Sequence, residues 1–305
     1  MDLAVAPATG VAASGRKLLV GLIGAGIARS LTPAMQEAES AAQGLRMHYQ
    51  LIDLGREPSR AGPGPEALAG LVTAARTMGF AGLNITYPCK QAVIALLDGL
   101  SDEARAMGAV NTVVFSAGRA IGHNTDGSGW RWGFERALPG ADLSRVVLLG
   151  AGGAGSAIAH SVCRMKAKAL VIVDHDGQRA AALAAELSRQ YAGAGEARVW
   201  ACVDAATALT GATGLIHATP TGMDKLPGLP LSPALLRSEM WVSEVVYFPL
   251  ETALLKAART AGCRVVDGGT MAVGQAIGAF ELFTGLVADA ARIDAHFRSL
   301  IKERA

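Results

Sequence analysis

Short apolar runs recur along this chain and alternate with longer stretches whose apolar positions repeat every three to four residues. The runs have strand length, and the longer stretches have the period of amphipathic helices. Lys17–Ile23 (KLLVGLI) reads as a first strand, and a helix follows, with Thr32 as its hydroxyl cap and Pro33 at its first position. His48–Leu54 is a second strand, Gly55–Pro65 a loop, and Glu66–Met78 a helix closed by Gly79. A short strand before Thr86 then presents Asn84 and Thr86 on one face, because side chains alternate along a strand. Pro88 stops it, and Lys90 is expected at the start of the next helix.

Further strands are expected at Val146–Leu149, Leu170–Val173, Ala197–Cys202, Gly214–Ala218, Trp241–Tyr247 and Arg264–Asp267. Helices fall between them at Arg179–Tyr191, near Asp204–Leu209 and at Thr252–Ala261, and Gly127–Pro139 is a helix leading in. A last helix follows Met271 and carries Gln275, Phe280 and Phe283. Strand and helix in regular alternation predict an α/β protein with doubly wound parallel sheet. No convincing repeat and no low-complexity linker interrupts the pattern.

The sharpest local signal is Val146–Asp174. A strand runs into Gly150, Gly152 and Gly155 in G-x-G-x-x-G spacing, then into a helix with Ile158, Val162 and Met165 on one face, then into a strand ending at Asp174. Gly150 permits the turn, Gly152 lets a pyrophosphate approach the backbone, and Gly155 lets helix and strand pack closely. The helix N-terminus, with Gly153 and Ala154, offers N–H groups and partial positive charge to phosphate. Asp174 stands where an acid grips a ribose 2′-hydroxyl, and the bland alternative is a tight turn that binds nothing. A similar run, Gly24-Ala25-Gly26-Ile27-Ala28-Arg29, has Arg29 where the third glycine belongs and reads as a decoy.

Composition narrows the class. At 305 residues, 51% hydrophobic and with 37 glycines, the chain suits two α/β domains with many tight turns. A net charge of +2 without a basic cluster gives nucleic-acid binding no electrostatic support. No apolar run approaches the length of a membrane span. The first residues lack the basic start and apolar centre of a signal peptide and read as a loose tail. Cys89, Cys163, Cys202 and Cys263 are scattered, as are the six histidines, so neither a zinc site nor a disulfide framework is expected. The chain reads as cytoplasmic and metal-free. Oligomeric state is not legible.

A dinucleotide site implies hydride transfer, which from an alcohol needs a base for the hydroxyl proton. Four polar stretches in the first half of the chain could carry it: Ser30–Thr32, Asn84–Lys90, Asn111–Thr112 and His123–Asp126. Lys90 and Asp126 are the leading candidates. A lysine acts as base only when partly desolvated, and a carboxylate can hold the ammonium and share the hydroxyl. His123 is the reserve. Singly, each of these residues could be a turn or cap residue.

GLNITYPCKQ, GAVNTVV, GHNTDGSG, VVLLGAGGAG, HATPTGM, EVVYFPLETALL and DGGTMAVGQAIGAFELFTG resemble, in order, the motifs of the shikimate dehydrogenase family. The resemblance runs from Gly21 to Gly285. It implies a substrate domain at 17–122 and 273–305, with C-terminal helices returning to it, and a Rossmann domain at 123–272. It implies Lys90 and Asp126 as the catalytic pair, and Ser30 and Thr32 on the substrate carboxylate. It further implies Thr86 and Asn111 on ring hydroxyls, with Tyr247 and Gln275 as further substrate contacts. Thr219, Pro220, Val245 and Gly268, at later strand ends, join the glycine turn as expected cofactor contacts.

Many NADP-using members of the family carry a basic Asn-Arg-Thr-like turn after the second Rossmann strand. Here that turn is Asp174-His175-Asp176-Gly177, with Arg179 nearby. This and Thr32, where many members have serine, are similar to the NAD-dependent quinate/shikimate dehydrogenases. The expected cofactor is therefore NAD and the expected substrates are quinate and shikimate. The rivals are an NADP-dependent biosynthetic shikimate dehydrogenase, a dehydrogenase of an amino-substituted ring acid, and a non-catalytic paralogue that only binds dinucleotide.

Overall fold

The computed structural model describes residues 15–55, 65–193 and 197–304. Most of the expected N-terminal tail and of the loop after Gly55 lies outside them. The chain divides into two compact units, one reaching Thr125 and resuming over Ala276–Leu300, the other spanning Asp126–Gln275 and the residues from Ile301. No helix among the described residues is long and apolar enough to cross a membrane.

The first unit contains strands β1 (Lys17–Gly24), β2 (Arg46–Asp53), β3 (Gly82–Ile85), β4 (Gly99–Leu100), β5 (Thr112–Ser116) and β6 (Arg119–His123). Its helices are α1 (Thr32–Ala42), α2 (Leu68–Thr77) and α3 (Asp102–Met107), with the later part of α9 (Gly269–Thr284) and most of α10 (Ala290–Lys302). The sheet order is β2-β1-β3-β5-β6-β4. It is mixed, not all parallel as expected: β5 runs antiparallel to both β3 and β6. The cause is local. Ala117 and Gly118 both take positive φ, the conformation of a two-residue hairpin turn, so β6 doubles straight back on β5.

Apolar side chains alternate to the two faces of this sheet. Ile23, Leu83, Ile85 and Val113 pack with Leu68, Val72 and Ala75 of α2. On the other face Val20, Leu22 and Tyr49 meet Ala279 and Phe283 of α9. Gly82 is required there, because a Cβ would overlap the Phe283 ring and the Val113 carbonyl.

The second unit holds a six-stranded parallel sheet. Its strands are β7 (Val146–Leu149), β8 (Ala169–Val173), β9 (Arg198–Cys202), β10 (Gly214–His217), β11 (Trp241–Glu244) and β12 (Arg264–Val266). Their order, β12-β11-β10-β7-β8-β9, is the doubly wound arrangement whose direction reverses between β7 and β10. Helices α4 (Asp126–Ala137), α5 (Gly153–Arg164), α6 (Gly177–Gln190), α7 (Ala205–Leu209) and α8 (Ala253–Thr260) surround it. The central strands bury both faces, which is why they read as continuous apolar runs. Trp130 stacks on Phe134 with centroids 4.8 Å apart, and Phe134 meets Trp241 edge-on at 4.7 Å, fixing α4 on the sheet. β11 is shorter than expected, so Val245 and Tyr247 lie beyond its end.

Candidate active site

Strand direction gathers the candidates of the first unit. β1, β3 and β6 run one way and β5 the other, so the ends of β1, β3 and β6 share an edge with the start of β5. Ser30 and Thr32 follow β1, Thr86 and Lys90 follow β3, Asn111 precedes β5, and Asn124 follows β6. Residues spread over almost a hundred positions thus meet one sheet edge, where α/β folds place ligands.

The loop after β1 is held by an acid from the neighbouring strand. Asp53, ending β2, accepts from the N–H groups of Gly26 (2.9 Å), Ile27 (3.2 Å) and Gly55 (3.2 Å). The glycine run expected to be a decoy therefore spends its N–H groups on the protein. Thr32 is not the helix cap. Leu31 occupies that position without a side-chain bond, and Ser30 Oγ accepts from the Thr32 N–H at 3.3 Å. Serine two residues earlier closes the same turn, and the sequence signal was misplaced by one register.

Lys90 lies in a turn before a short 3-10 helix over Ala92–Leu96, rather than at an α-helix start, and its carbonyl accepts from Val110 N–H at 2.8 Å. It is half-buried. Asn84, the alternate partner of Thr86, is consumed by structure: Oδ1 accepts from Tyr49 Oη at 2.6 Å and Nδ2 donates to Thr112 Oγ1 at 2.9 Å. Asn111 Oδ1 accepts from Thr125 N–H at 2.8 Å and Thr112 Oγ1 at 3.0 Å, while Nδ2 donates to Thr125 Oγ1 at 3.0 Å. His123 is half-buried, and burial pushes its pKa down.

In the second unit Asp126 opens α4, buried, with its Oδ1 accepting from Gln275 Nε2 at 2.7 Å. Two expected site residues 149 positions apart are thereby brought together. Tyr247 is 39% exposed beyond β11.

The glycine turn fits a bound pyrophosphate. Gly150 has φ +101°, and a Cβ there would press on the Ala218 carbonyl at 2.6 Å. Gly155 packs against the Gly150 carbonyl with no room for a side chain. Gly152 and Gly153 face open space instead, a cradle that a Cβ would fill beside the first N–H groups of α5. Thr219 and Pro220 follow β10, Val245 follows β11 and Gly268 follows β12, all at the C-terminal ends of parallel strands.

Asp174 is tied closely to this turn. Its Oδ2 accepts from Ala151 N–H at 2.6 Å, and its Oδ1 from Asp176 N–H at 2.9 Å and Arg179 Nη2 at 2.8 Å. Burial alone would raise its pKa. The Arg179 hydrogen bond and the two N–H groups outweigh that and lower it to about 2. Asp176 caps α6, accepting from the N–H groups of Gln178 and Arg179. Asp53, at the end of β2, and Asp174, just after β8, therefore do one job in two sheets: each ties down a neighbouring glycine loop. Among the described residues no cluster of His, Cys, Asp or Glu could hold a metal ion.

A doubly wound sheet with this turn is a Rossmann nucleotide-binding domain, here joined to an α/β unit with a polar strand edge, the plan of a two-domain dehydrogenase. Residues 22–113 match the shikimate dehydrogenase substrate-binding domain. A shikimate dehydrogenase (NADP(+)) of Streptomyces avermitilis is 55% identical over 92% of this chain and 95% of that protein. A quinate/shikimate dehydrogenase (NAD(+)) of Corynebacterium glutamicum is 47% identical over 93% of this chain and 99% of that one. The solved quinate dehydrogenase from Corynebacterium glutamicum in complex with NAD superposes with a TM-score of 0.86 at 43% identity, covering 94% of this chain and all of that one. The chain belongs to the shikimate dehydrogenase family.

Proposed function

We propose that the protein is an NAD-preferring dehydrogenase that oxidises a ring hydroxyl of quinate and shikimate and, in reverse, reduces the corresponding ring ketone. The observation that carries this reading is the convergence of hydroxyl, amide and ammonium groups on one sheet edge. A polyhydroxylated acid needs such a lining. Relatives named for both acids support the choice.

The bound nicotinamide supplies the hydride chemistry. Lys90 takes the hydroxyl proton in oxidation and returns it in reduction. Asp126, its carboxylate held by Gln275, is the second member of the proposed catalytic pair. Ser30 and Thr32 bind the carboxylate, Thr86 and Asn111 the ring hydroxyls, and Tyr247 and Gln275 complete the contacts. Gly150, Gly152, Gly153, Ala154 and Gly155 receive the pyrophosphate, with Thr219, Pro220, Val245 and Gly268 lining the remainder.

The preference for NAD rests on Asp174 and Asp176. A ribose diol can donate to a carboxylate, whereas a 2′-phosphate would face two acids. A second reading, NADP use, draws on Arg179 beside Asp174 and on the 55% identical relative named for NADP. The test is initial rates with quinate and with shikimate, each with NAD and with NADP. Equal rates with the two cofactors overturn the NAD preference. No turnover of either acid with either cofactor overturns the substrate assignment and turns attention to amino-substituted ring acids.

A further inference from the structure

The second unit encloses a polar chain that the proposed chemistry does not use. His217 ends β10 and Glu244 ends β11, directly paired in a parallel ladder, and both are wholly buried. Burying an imidazole and a carboxylate is costly unless their polar atoms are served. Here they are. His217 Nδ1 lies 2.8 Å from Glu244 Oε1 and 3.0 Å from Oε2. Oε1 also accepts from the N–H groups of Val245 at 2.8 Å and Val246 at 3.0 Å. Oε2 lies 3.0 Å from Thr252 Oγ1, which itself accepts from Leu255 N–H as the cap of α8. The Thr252 proton therefore points to Glu244.

Proton placement follows. The Glu244 carboxylate only accepts, so Nδ1 carries a ring hydrogen, and in the neutral imidazole Nε2 is then the acceptor. Nε2 lies 2.5 Å from Thr219 Oγ1, which in that tautomer donates to it. With its proton committed inward, and Thr221 N–H approaching at 3.4 Å, the half-exposed Thr219 oxygen can only accept from a ligand. Thr219 stands on the β10–β12 half of the sheet. Asp174 stands on the β7–β9 half, where the adenosine end belongs, so the half carrying Thr219 receives the nicotinamide end. The Glu244 carboxylate also fixes the backbone leaving β11. The carbonyls of Val245 and Val246 there pass so close to Gly268 that a Cβ on it would overlap both.

We infer that the buried His217–Glu244 pair positions the nicotinamide half of the dinucleotide, holding Thr219 as a fixed acceptor for a donor on that half, a ribose hydroxyl or the carboxamide NH₂. This rests on the proposed cofactor roles of Thr219 and Val245. His217 and Glu244 are positioning residues. They act through Thr219 and through the chain after β11.

The test measures dissociation constants of NADH and of ADP-ribose, which lacks nicotinamide, for the wild type, His217→Asn, Thr219→Val and the double variant. Asparagine keeps a donor where Nδ1 lies but is too short to reach Thr219. Loss of one aligned hydrogen bond should weaken NADH by about three- to tenfold in either single variant. ADP-ribose should bind as before, and the double variant should be no worse than Thr219→Val alone. His217→Gln, whose amide reaches the Nε2 position, should recover part of the affinity. Equal weakening of ADP-ribose, or losses that add in the double variant, would overturn the inference. Should the His217 variants fail to fold, Thr219→Ser carries the test: it should bind NADH like the wild type, and a loss matching Thr219→Val would overturn the acceptor role. These are binding readouts, so a protein that binds NADH but oxidises neither acid would remove the proposed substrates and leave this inference standing.

Discussion

Asp174→Asn perturbs the glycine turn and the cofactor preference together. The residue is 9% exposed, and its carboxylate serves Ala151 N–H, Asp176 N–H and Arg179. Its pKa is held at about 2, against 3.8 for an ordinary aspartate. At about 1.4 kcal/mol per unit, that difference stabilises the fold by about 2 kcal/mol. Because the folded-state pKa is depressed, the stabilisation is complete above the unfolded value and is lost as pH falls through about 2. Asparagine removes the charge and turns an amide toward Arg179. Urea unfolding should therefore show the variant about 2 kcal/mol less stable near neutral pH, with the gap closing below about pH 4. The same change alters selectivity. A carboxylate facing the 2′-phosphate of NADP costs several kcal/mol, of which Arg179 offsets a part. The wild type should then favour NAD by roughly ten- to a hundredfold in kcat/KM. In the variant Arg179 is released to meet a phosphate, and the ratio should fall to a few-fold. A wild type that uses NADP as well as NAD, or a ratio unchanged by the substitution, would refute the electrostatic argument. Unaltered stability near neutral pH would refute the clasp on the turn.

Three further outcomes are expected. Lys90→Ala should lower kcat by about 10²–10⁴-fold while NADH binding stays near normal; near-normal turnover would make Lys90 structural and pass suspicion to His123. Asp53→Ala should release the Gly26, Ile27 and Gly55 N–H groups and loosen the loop carrying Ser30. The KM for the acid substrate should rise by about tenfold, the worth of a lost hydrogen bond or two, with the cofactor KM unmoved; equal rises in both would sink the loop assignment. His160 is wholly buried, 3.1 Å from Tyr191 Oη, and burial, with the Arg164 charge, lowers its pKa from 6.5 to about 4. The unfolded chain takes up that proton first, so stability should fall by up to about 3 kcal/mol as pH drops from about 6.5 to 4. Unfolding between pH 7 and 5 should show a shallower slope in His160→Leu, and an identical slope would assign the acid sensitivity elsewhere.

The sequence by itself determined the order and kind of most elements in the second unit. Val146–Leu149, the three glycines and Leu170–Val173 announce themselves because a buried parallel strand is a continuous apolar run and a tight turn needs glycine. It also placed Thr252 and Asp204 near helix starts, where the structure shows both as caps. Such signals sit within a few residues of what they specify. The misplaced features depended on partners far along the chain or on one-residue registers. Ser30 closes the turn that Thr32 was expected to cap. Ala117-Gly118 reverses a strand that alternation alone would run parallel. Only the tertiary structure decided that β5 enters between β3 and β6, and with it the edge on which Thr86, Lys90 and Asn111 meet. Only it decided that Asp53 and Asp174 turn back on the neighbouring glycine loops. His217 and Glu244 lay unremarked inside two expected strands, without a hint that they touch. Lateral strand order is set by which apolar faces bury against each other, and a hydrogen bond across it joins residues whose separation along the chain carries no signal of their distance in space.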